Sequence, residues 1–171
     1  MERIVHIKER AFLSMILSSI EVYRHETLGL LLGYAGIDKF VIEHSIPYQT
    51  AVKGYSWVSP KPKISDRRGR ILKHMPINVI GDFHSHTQWG TTKANAVPSG
   101  EDIADMEPNR AYIIVAVNDK EKAEPWHQTA EGTIKGTLDE YVIELGAYIL
   151  VSKFKAGALK VICPSATGLS Y

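Results

Sequence analysis

The sequence predicts an α/β sandwich. Short, nearly continuous apolar runs alternate with stretches whose apolar residues recur at helical spacing, and no internal repeat or low-complexity linker interrupts them. A length of 171 residues suits a single domain, residues 1–171, long enough to build a core.

The elements follow in chain order. Ile4 to Ile7 reads as a short strand. From Lys8 to about Arg24, Phe12, Leu13, Ile16, Leu17, Ile20 and Tyr23 recur at helical spacing and predict one buried stripe. Thr27 to Gly33 is an apolar run ending in glycine, as a central strand should be, and Lys39 to Ile46 pairs beside it across a turn at Ala35-Gly36-Ile37-Asp38. Residues 47–63 are loop-like, with Trp57 read as a packing residue. A helix from Ser65 to His74 then carries Arg67, Arg68, Arg70 and Lys73 on one face, with Ile64, Ile71, Leu72 and Met75 able to face inward. A solvated basic face is the ordinary reading of such an array, and contact with an acidic partner is the alternative.

Ile77 to Phe83 is a second central strand that delivers the chain to His84-Ser85-His86. Pro98-Ser99 opens a short helix that Pro108 ends. Tyr112 to Val117 is a third buried strand. Beyond it, Trp126 reads as packing, and Thr137-Leu-Asp-Glu140 fits a helix start. The β-branched content that follows favours a hairpin of Tyr141–Phe154 with Ala158–Cys163, turning at Ala156-Gly157.

Composition narrows the classes. Hydrophobic residues make up 44% and charged residues 23%, as in ordinary soluble domains. Twenty basic against nineteen acidic side chains leave a formal charge of +1, so the balance asks for neither nucleic acid nor an anionic membrane. The one cysteine, Cys163, allows no intrachain disulfide and no cysteine-based zinc cage. Charges break every short apolar run near the N-terminus, and no apolar stretch approaches the roughly 18 residues of a membrane span. A cytoplasmic location is expected.

In an extended segment residues i and i+2 point to the same side, so His84 and His86 can aim both imidazoles at one ion. Asp102 falls in the first turn of the next helix, where its carboxylate can reach back to that strand. Two histidines and one carboxylate leave a coordination position for water, the pattern of a catalytic zinc. Each piece alone is weak. Seven histidines make a chance His-x-His unremarkable, and Ser99-Gly-Glu-Asp102 also reads as a capping box with Ser99 as N-cap. The order of the pieces carries the reading: buried strand, His-x-His, loop, Pro-Ser-x-x-Asp helix. His25, His44, His74 and His127 have no usable partner spacing.

Gly81-Asp-Phe-His84-Ser-His86, then Pro98-Ser99-Gly-Glu-Asp102-Ile, and upstream Glu26-Thr-Leu-Gly29-Leu-Leu-Leu-Gly33, resemble the JAMM motif of MPN-domain metalloproteases, in the manner of a small stand-alone prokaryotic-type member. The likeness covers about residues 1–120, leaving 121–171 as a C-terminal extension. It implies a three-layer α/β/α sandwich with a mixed sheet between helices, related to the cytidine-deaminase fold. It implies one Zn²⁺ per chain on His84, His86 and Asp102. By the same likeness Glu26 takes a proton from zinc-bound water and returns it to the leaving amine, while Ser99 donates to the developing oxyanion. The reaction implied is cleavage of peptide or isopeptide bonds, often at the C-terminus of a ubiquitin-like protein or its conjugates.

Two departures from the family stand out. Twelve residues, Thr87 to Pro98, separate His86 from Ser99 where the family has seven, and Thr87 replaces the usual proline. An insertion of that size is cheap thermodynamically. Both of its ends belong to the site, so the loop is expected to flank the groove that leads to the metal. Shortening it within Thr91–Ala96 should leave zinc binding intact. Trp89 fits a substrate contact, a lid or a packing residue equally well.

Rival chemistries explain less. A zinc deaminase needs His-x-Glu and Cys-x-x-Cys, and one cysteine excludes it. The chain is too short for an eight-fold α/β barrel. A two-histidine, one-carboxylate iron oxygenase leaves Glu26 and the Pro-Ser-x-x-Asp helix unexplained. The serious alternative is an MPN-type scaffold that binds a partner and hydrolyses nothing.

Overall fold

The computed structural model describes residues 3–50, 52–53, 58–59 and 61–169, with backbone alone for 52–53 and 58–59. Trp57 lies outside the described residues. The order is β1 (Ile4–Ile7), α1 (Glu9–Glu21), β2 (Leu28–Ala35), β3 (Lys39–Pro47), β4 (Val52–Lys53), β5 (Val58–Ser59), α2 (Pro62–Leu72), β6 (Asn78–Thr87), α3 (Gly100–Asp105), β7 (Ala111–Asp119), β8 (His127–Gln128), β9 (Ile134–Leu138), β10 (Tyr141–Ser152), β11 (Lys155–Ile162) and α4 (Pro164–Thr167).

The sheet is mixed. Its strands run β11-β1-β3-β2-β6-β7-β10-β9-β8, and β10 also pairs with β11, so seven of them close into a ring. A three-layer α/β/α sandwich around a mixed sheet was the expectation; the sheet is mixed, and it closes into a barrel-like ring with few helices about it. The cause lies in β10, whose first half, Tyr141–Leu145, pairs with β9. Its second half, from Ala147, takes β11 on that same edge, and β11 then runs parallel to β1 at the other end of the chain. Closure removes the free edges that an open sheet would expose.

Inside the curve lies one apolar core. Ile113, Val115 and Val117 of β7 meet Leu31, Phe40, Ile42, Phe83, Ile143 and Leu145 there, together with Phe12, Met15 and Ile16 of α1. Trp126 packs edge-on against Phe12, the packing role expected of it. The predicted stripe on α1 is half right. Phe12 and Ile16 are buried, but Leu13 and Leu17 are 46% and 64% exposed. Ala11, Met15, Ser18 and Ser19 occupy the buried face instead. Ser18 and Ser19 donate their hydroxyls to the Met15 carbonyl, so the small polar residues enter the core satisfied and let the helix sit close to the sheet.

The C-terminal hairpin is present, but it turns at Lys153-Phe154, where Phe154 has φ of 64°. The stretch Thr137–Glu140 is no helix start. It ends β9 and turns into β10 through Asp139, at φ 53°. On the outer face of the sheet a smaller cluster of Met106, Tyr112, Ile114 and Tyr148 seats α3. That outer face carries the site. No helix among the described residues is long and apolar enough to cross a membrane.

Candidate metal centre

β6 is longer than expected and runs through the histidines instead of stopping before them. Its alternation decides what each side chain meets. Phe83 and Ser85 are fully buried toward the core, while Asp82, His84 and His86 stand on the outer face. Parallel pairing with β7 sets His84 opposite Ile114 and His86 opposite Ala116, on a strand buried on both faces.

Asp102 arrives from α3. Ser99 is the N-cap: its Oγ accepts from the Asp102 N–H at 3.1 Å, and the Asp102 carboxylate accepts from the Ser99 N–H at 2.6 Å. The capping box read from the sequence is therefore real, and it is also the mount that aims Asp102 at β6. Asp102 Oδ1 lies 3.2 Å from His84 Nε2, Oδ2 lies 3.5 Å from His86 Nε2, and the two Nε2 atoms are 3.0 Å apart. Donors held at about 2.0–2.1 Å by one tetrahedral ion stand roughly 3.3 Å from one another. The triad is thus positioned to hold a metal ion.

His86 Nδ1 lies 3.0 Å from the Asn95 carbonyl, which can only accept. In the neutral ring the proton therefore sits on Nδ1, which leaves the Nε2 lone pair for an ion. Burial disfavours the charged His86 ring, but Asp102 and the Asn95 carbonyl outweigh it and lift its pKa above 6.5. Burial also opposes ionisation of Asp102, and hydrogen bonds from His84 and His86 overcome it, holding the carboxyl far below its usual range.

Glu26 lies two residues before β2, and its carboxyl is electrostatically coupled to His84, His86 and Asp102. Burial raises its pKa above the usual 4.5, partly countered by the two histidines. What fixes Glu26 is Ser85, a residue the sequence reading passed over. The Ser85 N–H donates to the Thr27 carbonyl at 3.0 Å, and the Thr27 N–H donates to Ser85 Oγ at 2.9 Å. The inward residue of His-Ser-His thus holds the neighbour of Glu26 against the strand that carries the two ligands. Ser85→Ala strips the buried Thr27 N–H of its acceptor. It should cost about 1–3 kcal/mol, read from urea unfolding of the metal-free protein.

Asp82, also unremarked in the sequence, stands two residues before His84 on the same face of β6. Burial pushes its carboxyl up to about 6, with His84 and Arg110 partly offsetting the shift.

The inserted loop is a built structure. Trp89 and Thr92 exchange both backbone hydrogen bonds around Gly90, whose φ of 56° suits glycine. Trp89 is 61% exposed, at the tip of this turn. Asn118 grips Ala94 twice, accepting its N–H at 2.8 Å and donating to its carbonyl at 3.0 Å. Tyr148 donates to the Ala96 carbonyl at 2.7 Å. That carbonyl sits where a Cβ on Gly146 would be, so glycine is required there. Residues 91–96 are therefore no mere spacer, because deleting them removes the Asn95 carbonyl that orients His86. Asn118→Ala should weaken metal binding at the triad, by at most the roughly 10–100-fold that loss of a direct outer partner costs, since Asn118 acts through Ala94 on the neighbouring Asn95. Competition with a chromophoric chelator would measure it.

Comparison with known proteins follows the same outline. A family model described as prokaryotic homologs of the JAB domain matches residues 8–129, the stretch that holds Glu26, His84, His86, Ser99 and Asp102. The solution structure of protein DSY2949 from Desulfitobacterium hafniense superposes with a TM-score of 0.65 at 17% identity, over 94% of this chain and 92% of that one. That likeness speaks to the fold alone. A comparison with curated proteins gives no match.

Proposed function

The chain belongs to the prokaryotic homologs of the JAB domain, and from that membership we propose that it is a zinc-dependent hydrolase of peptide or isopeptide bonds, acting at the C-terminus of a ubiquitin-like protein or its conjugates. The observation that carries the proposal is the convergence of His84 Nε2, His86 Nε2 and the Asp102 carboxylate within 3.0–3.5 Å of one another, beside a half-buried glutamate.

His84, His86 and Asp102 would hold the zinc ion, which when bound would supply an acidified water, with a pKa of about 7, and polarisation of a carbonyl. The protein's own groups do the rest. Glu26, near the ligands and partly desolvated, accepts the proton of the attacking water on a carboxylate oxygen and returns it to the leaving amine. Ser99 Oγ accepts from the helix N–H and keeps its own hydrogen to donate to the oxygen that gains charge. Asn95 and Asn118 keep the His86 ring in the orientation and tautomer that ligation needs.

The test is cleavage of a ubiquitin-like domain fused through its C-terminus to a reporter, followed by intact mass. The proposal expects a single cut after the last residue of the ubiquitin-like domain, abolished by a chelator. Absence of any cut across a panel of such fusions and of free peptides would defeat it.

Zinc affinity should also depend on pH in a defined direction. A protonated imidazole cannot ligate, and the His86 pKa lies above 6.5 in the metal-free protein. Affinity is therefore expected to fall already as pH is lowered through the neutral range, before the midpoint of a free imidazole. Isothermal titration at a series of pH values would show the onset.

A further inference from the structure

Residues 61–73 carry six basic side chains and one acidic, in a chain whose total is +1, so the rest is net acidic. Most of that charge is carried by α2. The helix lies shallowly, with no residue fully buried. Ile64, Ser65, Arg68 and Leu72 form its half-buried strip. Arg68 holds it down, donating to the Ile46 and Pro47 carbonyls at 3.2 and 3.4 Å with its guanidinium 4.2 Å above the Tyr48 ring.

The exposed side presents Lys63, Asp66, Arg67 and Arg70, three cations to one carboxylate, with Ile71 at its edge beside the half-buried strip. Ile71 is 58% exposed, and Met75, just past the helix, is 52% exposed. Among the described residues the ion pairs involve none of Lys61, Lys63, Arg67, Arg70 or Lys73. A merely solvated face explains the lysines and arginines but gives no reason to leave an isoleucine and a methionine beside them. Like charges crowded beside a small apolar patch are relieved together by a partner that brings carboxylates beside an apolar contact.

Through its inward Arg68 the helix is anchored to the strands beside the metal centre. Tyr48, under Arg68, donates its N–H to the Leu28 carbonyl at 2.8 Å, and Leu28 pairs directly with His84. We propose that the outward face of α2 is a docking surface for an acidic region of the polypeptide substrate, a reading that rests on the hydrolase assignment for the word substrate. Membrane docking would need a whole apolar helix face, and among the described residues here only Ile71 and Met75 are large, apolar and exposed. Single-stranded nucleic acid would call for stacking aromatics, and among the described residues this face shows none.

The test uses the zinc-loaded full chain and a fluorescein-labelled peptide alternating Glu and Leu, beside the same peptide with Gln for Glu. Anisotropy should show binding of the Glu peptide only, weakening with salt. Arg67→Glu with Arg70→Glu should weaken it roughly tenfold or more, and Arg67→Lys with Arg70→Lys should largely retain it. Because both arginines are exposed, zinc content should be unchanged in both variants, which certifies the fold. Equal binding of the Gln peptide would overturn the proposal, as would indifference to charge reversal. Tighter binding to phosphatidylserine vesicles or duplex DNA than to the Glu peptide would also overturn it. A chain that binds the Glu peptide in this way yet hydrolyses nothing defeats the hydrolase reading alone; a chain that hydrolyses without charge-dependent docking defeats the surface alone.

Discussion

Glu26→Gln is expected to bind zinc at wild-type stoichiometry and to fold normally, while turnover falls by about 10² to 10⁴-fold, the usual worth of a general base. The amide matches the carboxylate in size but cannot accept a proton. Glu26 sits outside the triad that would hold the ion, and its backbone position is fixed through Thr27 and Ser85, neither of which the substitution touches. Loss of rate with metal retained would separate chemistry from binding. Stopped-flow hydrolysis beside metal analysis of the same preparation gives both readings. Near-normal turnover would remove Glu26 from the mechanism.

Asp102→Ala carries the other large effect, since it should abolish stoichiometric zinc and with it all hydrolysis. Two functions meet in this carboxylate: it faces both histidines, and it accepts the Ser99 N–H that closes the first turn of α3. The alanine variant should therefore also lose about 1 kcal/mol of stability from the broken cap. Asp102→Asn keeps an oxygen acceptor for Ser99 and discriminates between the two roles. It should recover most of the stability and little of the metal. Zinc retention by both variants after dialysis would mean that another group is the ligand.

The sequence made the metal site legible because its chemistry is local. His84 and His86 are two apart on a strand, and Ser99 and Asp102 three apart at a helix start, so alternation, capping and the order of these pieces together pointed to them. Glu26 was legible through the family likeness and not through its own surroundings, since its nearest anchor, Ser85, lies far along the chain. The outer supports were hidden for the same reason. Nothing in Asn118 or Tyr148 announces a grip on a loop that begins some thirty or more residues earlier in the chain.

The fold divides along the same line. The buried β7, the β2–β3 turn at Gly36 and the C-terminal hairpin follow from local pattern. Ring closure depends on β11 pairing with β1 across nearly the whole chain, which no window of sequence contains. On α1 the periodicity was present, but its phase was set by Ser18 and Ser19, polar residues that enter the core by satisfying themselves on the Met15 carbonyl. Leu13 and Leu17 were displaced to the surface as a result.

On the proposed function, His84, His86 and Asp102 hold a zinc ion that this protein uses to hydrolyse a peptide or isopeptide bond. Its most direct test is to strip the protein with a chelator and titrate zinc back while following hydrolysis of a ubiquitin-like fusion. No activity is expected in the stripped protein, then a linear rise that saturates at one zinc per chain. Saturable binding of one zinc with no hydrolysis at any point of the titration would contradict it and leave a metal-stabilised scaffold.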